Sequence, residues 1–286
     1  MDIDNLSLIN LFLDKTKREP LEELVEMGKN KLANPPKVWA NSCKERCTND
    51  EAWYLLIDMS LRVDDFLGVQ IKDFPSLHCG SSYPLPFVLS SVPSMSGVVF
   101  GLYLANKAVS LEQISEANVI LGASVFLSGV STALLINAVR DNNSGLYNRK
   151  TKKITVKRAE FKQRLSSILA HEYTHHIQNE RIPFFHPNYK VFFEGHAMGV
   201  EKHITETLAE EKKDFAYIQQ SNHLQSHLEV ALEILQDYKQ GKTINPAELF
   251  LTYRHTIGHA LFQLAERKHG KEIYADALKG NYSFLE

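Results

Sequence analysis

The chain has 286 residues, 44% of them hydrophobic and 23% charged, a composition that supplies one large core or two smaller ones and argues against disorder. A formal net charge of -2 leaves no basic excess to neutralise phosphates, which excludes nucleic acid as a principal partner. Cys43, Cys47 and Cys79 are an odd number of thiols, and their spacing suits reduced cysteines better than a disulfide framework.

The N-terminal "MDIDNLSLINLFLDKTKREP" places acids before its apolar residues and has neither a basic start nor a small-residue cleavage site. No secretory signal is read there, and the expected location is cytoplasmic. From Asp4 to about Leu32 apolar residues recur every three or four positions, with Pro20 interrupting, which predicts two short amphipathic helices. A further helix is predicted over Asn49–Leu67, capped by Asn49 or Asp50, with Trp53, Leu56, Met59 and Val63 on one face. A zinc site from Cys43, Cys47, His78 and Cys79 is conceivable, but neither spacing is that of a C-x2-C knuckle. Pro75, Pro84, Pro86 and Pro93 with several serines mark a linker or a long surface segment. Residues 1–80 are therefore expected to form a helical region of unassigned role, and 81–286 the principal domain.

Two uncharged runs, 86–106 and 118–139, are each long enough to cross a bilayer. Prolines and serines in the first and Gly129 in the second favour soluble segments, with a membrane hairpin as the alternative. "GVVFGLYLA" and "STALLINAV" read as strands on either side of a helix that opens at Ser110, with Gln113 completing a capping box. After the turn "RDNNSG", residues 145–158 alternate apolar and polar around "RKTK". They read as a hairpin or bent edge strand, basic on its outer face, which is either protected from aggregation or able to take up an extended peptide. A helix beginning near Ala159 follows. From Ala197 onward the pattern is helical, broken at 239–246. The fold class expected is α+β and mostly helical, with a small mixed sheet edged by an antiparallel strand. The sheet and motif helix lie within 95–198 and the helical C-terminal part in 199–286.

The motif is "HEYTH" at 171–175. No proline or glycine interrupts "FKQRLSSILAHEYTHHIQNE", so His171 and His175 fall one turn apart on the same helical face and can chelate one ion. Catalytic zinc takes three protein ligands and keeps a fourth position for water; Glu172, beside the first imidazole, would act as general base. Glu194, nineteen positions after His175 and just inside the next predicted helix, supplies a third ligand. His176, His186, His196 and His203 read as solvated or hydrogen-bonded histidines, and the Phe184–Phe185 and Phe192–Phe193 pairs as core.

On "HEYTH", "EGHAMGVE" at 194–201 and the strand-like "ITVKR" ahead of them, the chain resembles the gluzincin metallopeptidases, the thermolysin-like zincins. That resemblance implies a zincin-like catalytic domain with one Zn2+ per chain on His171, His175 and Glu194. It also implies hydrolysis of a peptide or protein substrate by zinc-bound water activated by Glu172. Glu201 falls where many members carry a further acid, a candidate support for a ligand; Met198 stands where thermolysin has an aspartate. In "LTYRHTIGHALFQLAERKHG" (251–270) His255 matches the family's oxyanion donor, with Tyr253 and His259 as alternatives. Competing readings are a di-iron carboxylate helical protein, since Glu172-x-x-His175 and Glu266-x-x-His269 both fit its pattern, and a zincin-fold binding or regulatory protein without peptidase activity.

Overall fold

The computed structural model describes residues 5–40, 46–80, 145–157, 160–182 and 190–285. The first helical stretch divides, but ahead of its proline. α1 (Asn5–Asn10) continues through a π-helical turn at Leu11–Lys15, and α2 (Arg18–Ala33) contains Pro20 in its first turn. Proline has no N–H to lose there, so a helix tolerates it at that point. α3 (Asn49–Leu67) has the expected span, yet its cap is Thr48 rather than Asn49 or Asp50. Thr48 Oγ1 accepts from the Glu51 N–H, and the Glu51 carboxylate accepts from the Thr48 N–H at 2.8 Å, which satisfies two terminal donors at once. Ala52, Leu56, Met59 and Val63 face inward, whereas Trp53 lies off that stripe and stays 40% exposed.

The segment expected to open a linker contains β1 (Ser76–Cys79). It pairs in parallel with β3 (Lys153–Val156), Ser76 opposite Lys153 and Cys79 opposite Val156. β2 (Gly145–Asn148) is the other neighbour of β3, giving a three-stranded mixed sheet of order β1-β3-β2. Residues 145–156 thus make a hairpin, with Asn148 Oδ1 accepting the Lys150 and Thr151 N–H groups in its turn. The basic strand β3 is central, not an edge, because β1 and β2 are hydrogen-bonded to its two sides, and its Ile154 and Val156 side chains are fully buried. The strands expected at 97–105 and 131–139, the helix from Ser110 and both apolar runs lie outside the described residues. Among the described residues no helix is long and apolar enough to cross a membrane.

Six further helices follow: α4 (Lys162–Arg181), α5 (Lys190–Lys212), α6 (Ala216–Gln220), α7 (Asn222–Lys239), α8 (Pro246–His269) and α9 (Ile273–Leu278). α3 packs on α4, α4 on α5, α5 on α8, α8 on α7 and α7 on α2. The described residues of 1–79 and 147–286 therefore cluster as one compact unit. The N-terminal helices, expected as a region apart, share the core of the C-terminal ones: Phe12, Leu21 and Leu56 are buried with Leu169, Phe262 and Tyr274.

Two long-range features set the start of α5. The Val191 N–H, one of the terminal amides that a helix leaves without an internal partner, donates to Asn5 Oδ1 at 2.9 Å. Next to it the α5 and α8 backbones touch. A Cβ on Gly195 would lie 2.3 Å from the Gly258 carbonyl, and one on Gly258 would lie 2.1 Å from the Val191 oxygen. Only glycine at both positions permits this approach, and it brings Glu194 against the residues just ahead of Gly258.

Candidate metal centre

His171 and His175 project from α4 one turn apart, and Glu194 meets them from the first turns of α5. One ligand atom from each can be chosen so that all lie within 4.8 Å of one another. Glu194 Oε2 is 3.5 Å from His171 Nε2 and 3.3 Å from His175 Nε2. These side chains remain 15% to 18% exposed, enough for an ion and a small group to reach them. Among the described residues it is the one such group of histidine, cysteine and carboxylate side chains.

The far nitrogens of both imidazoles are held. His171 Nδ1 lies 3.1 Å from Glu201 Oε2, and Glu201 also takes the Ser167 hydroxyl and, at 3.1 Å, His223 Nε2. His175 Nδ1 lies 2.8 Å from Gln178 Oε1. Donor counting fixes the rest of that chain. Gln178 Nε2 donates to the Phe193 carbonyl and to His196 Nδ1, both at 3.0 Å, and His196 Nε2–H donates to the Tyr274 carbonyl at 2.9 Å. With Nδ1–H donated outward in each case, Nε2 of both His171 and His175 faces Glu194 and is the position that a proton or a metal ion would occupy. Such outer partners orient metal-binding imidazoles and raise their basicity. Burial holds His196 down to about 4, so it stays neutral and can accept from Gln178.

Glu172 is buried beside the pair at 8% exposure. Burial raises its proton affinity above the usual carboxylate range, against His171 and His175, which lower it; the Tyr147 N–H of β2 donates to it. Glu194 is the opposite case. Burial disfavours its charge, but His175, His255 and the hydrogen bond from His171 outweigh that and hold it well below the ordinary range. Burial works against a charged His171, but Glu194 and Glu201, with a smaller part from Glu172, hold it well above its ordinary value, so a proton and a cation compete for that imidazole.

From α8, His255 Nε2 comes within 3.0 Å of Glu194 Oε2, and Arg254 Nε within 3.9 Å of Oε1. Both follow directly on a kink at Tyr253 (φ -118°, ψ 21°). Tyr253 itself packs partly buried against the core. His259, one turn beyond His255, is fully buried and lines a separate cavity with no residue of the centre in its wall, so the structure does not bring it to the cluster. The second Glu-x-x-His pair is also elsewhere. Glu266 lies 2.7 Å from His203 Nε2 and accepts from the Tyr274 hydroxyl at 2.9 Å, while His269 is exposed. Cys47, His78 and Cys79 form no metal-type cluster, and Cys43 and His186 lie outside the described residues. His176 matches the bland expectation, its Nδ1 3.0 Å from the Tyr147 hydroxyl and its Nε2 2.5 Å from the Asp73 carbonyl.

The residues that sequence spacing does not reveal are Gln178, His223 and Arg254. Gln178 carried one faint signal, lying three positions after His175 on the same helix face; His223 and Arg254 come from helices whose approach is set by packing. Replacing Glu201 by alanine is expected to weaken metal affinity about 10- to 100-fold, read by competition with a fluorescent chelator; an unchanged affinity would mean that Glu201 does not orient His171. No family model, no curated protein and no solved structure matches the chain, so its function is argued from these residues and their geometry.

Proposed function

We propose that the protein is a zinc-dependent peptidase with a zincin-like arrangement of its motif helix and ligand helix. The observation that carries this is the convergence of His171 Nε2, His175 Nε2 and the Glu194 carboxylate, with Glu172 buried next to them and outside the ligand set. Two imidazoles and one carboxylate fit a catalytic zinc, which leaves a position open. The same donors also suit iron; a buried carboxylate of raised proton affinity alongside favours the hydrolytic reading, since hydrolysis needs a base.

A zinc ion held by these residues would supply Lewis acidity to water and to the scissile carbonyl. Glu172 takes a proton from the attacking water at its carboxylate and delivers it to the leaving amine. His255, whose Nε2 approaches the same Glu194 oxygen as the two imidazoles, donates a hydrogen bond to the oxygen that becomes negative as the carbonyl is attacked. β2, whose Tyr147 N–H reaches Glu172, runs beside these groups and offers backbone donors and acceptors to an extended peptide.

The deciding experiment is elemental analysis of the wild-type chain and of Glu194→Gln, together with turnover of a mixed peptide library. One zinc per chain with cleavage, and weakened zinc in Glu194→Gln, are expected. Zinc without cleavage of any peptide would favour a non-hydrolytic zincin-fold protein; two irons, or no metal, would overturn the reading.

A further inference from the structure

A cavity of about 210 Å³ lies between α2, α5, α7 and α8, room for about seven waters. Its walls are apolar: Leu24 and Leu32 of α2, Ile218, and Leu224 and Leu228 of α7. Its polar lining comes from Lys202 and Glu206 of α5, His259 and Gln263 of α8, and Ser221, Asn222 and Gln225 at the start of α7. His259 is 0% exposed, and neither of its ring nitrogens has a hydrogen-bond partner among the described residues. Gln263, almost as buried, lies one turn further along α8, and Lys202 of α5, which forms no ion pair within 4 Å among the described residues, completes the set. At the rim Lys31 pairs with Glu206 at 3.0 Å.

A fully buried imidazole with both nitrogens unpaired is costly, because each group has lost its water without gaining a partner. Beside it are the Lys202 ammonium, whose charge is felt by Glu266 but which forms no ion pair within 4 Å among the described residues, and an apolar wall of leucine and isoleucine. We propose that this cavity is a binding site for a small carboxylic acid with an apolar tail, its carboxylate between Lys202 and His259 and its tail along Leu24, Leu224 and Leu228. Mostly apolar walls with a few convergent polar groups are the usual make-up of a small-molecule site. Burial, followed by His227 and Lys202, holds His259 well below its ordinary value, so it remains a neutral imidazole with one N–H to donate. The site does not depend on the peptidase reading. It does adjoin the centre's supports: Lys202 follows Glu201, and His223 stands between the lining residues Asn222 and Leu224.

The test is isothermal titration calorimetry of the full chain with octanoate, with 1-octanol as the uncharged control. Saturable one-to-one binding is expected, at least tenfold weaker for octanol, at least tenfold weaker for octanoate in Lys202→Met, and absent in His259→Phe, whose larger ring fills the polar end. Lys202 is partly exposed, so Lys202→Met keeps the test decisive if His259→Phe does not fold. N-acetylleucine serves as a second acid: tighter binding than octanoate, with the same loss in Lys202→Met, would identify the ligand as a peptide C-terminus, and the reverse order a free fatty-chain acid. No saturable heat with either acid, equal binding of octanol, or unchanged affinity in Lys202→Met would overturn the proposal.

Discussion

Replacing Glu172 by glutamine is expected to lower peptide turnover by about 10²- to 10⁴-fold, the span that a positioned general base contributes, while metal content stays near one per chain. The two halves of this result test different things. Glutamine keeps the size of the side chain and can still accept the Tyr147 N–H, so the packing around His171 and His175 is preserved. What it loses is a buried carboxylate whose proton affinity has been raised toward that of an effective base. Turnover at the wild-type rate would place the base elsewhere; loss of metal would make Glu172 a ligand. Single-turnover kinetics on the best library peptide, with metal analysis of the same sample, separates these outcomes.

Gly258→Ala is expected to damage both fold and site. The added methyl would stand 2.1 Å from the Val191 carbonyl oxygen and within 3.0 Å of the Gly195 backbone. Backbone cannot rotate away as a side chain can, so α5 and α8 must separate. Overpacking of this kind costs about 1–3 kcal/mol, against which alanine recovers at most about 1 kcal/mol of helix propensity. We expect a lower urea midpoint and, since His255 and Glu194 face each other across the same crossing, weaker metal binding. A substitution without effect on either would show that the two helices slide apart freely.

Local patterns were the legible part of this chain. The spacing of His171, Glu172 and His175 needs only one uninterrupted helix to place the two imidazoles on one face, and α4 provides it. The span of α3 followed from its apolar period. Its cap was misplaced because Thr48, Asn49 and Asp50 are all competent, and only the Glu51 partner decides among them. β1 was hidden because four residues in a proline-bounded segment carry little periodicity, and their partner strand is remote in sequence. The supports of the candidate centre were hidden for a related reason. Gln178 carries no charge to attract notice, and His223 reaches Glu201 from α7. Gly195 and Gly258 act by what they lack, and nothing in a sequence marks two glycines as neighbours until two helices cross there.

The supports have a bearing on what counts as the working unit of this protein. His171 is braced through Glu201 to His223 on α7, and His175 through Gln178 and His196 to the Tyr274 carbonyl on α9. A fragment ending after α5 would retain every metal-facing side chain and the whole recognisable motif, yet both braces would have lost their far anchors. The motif marks where the chemistry would occur, but a piece that keeps both braces has to extend to α9.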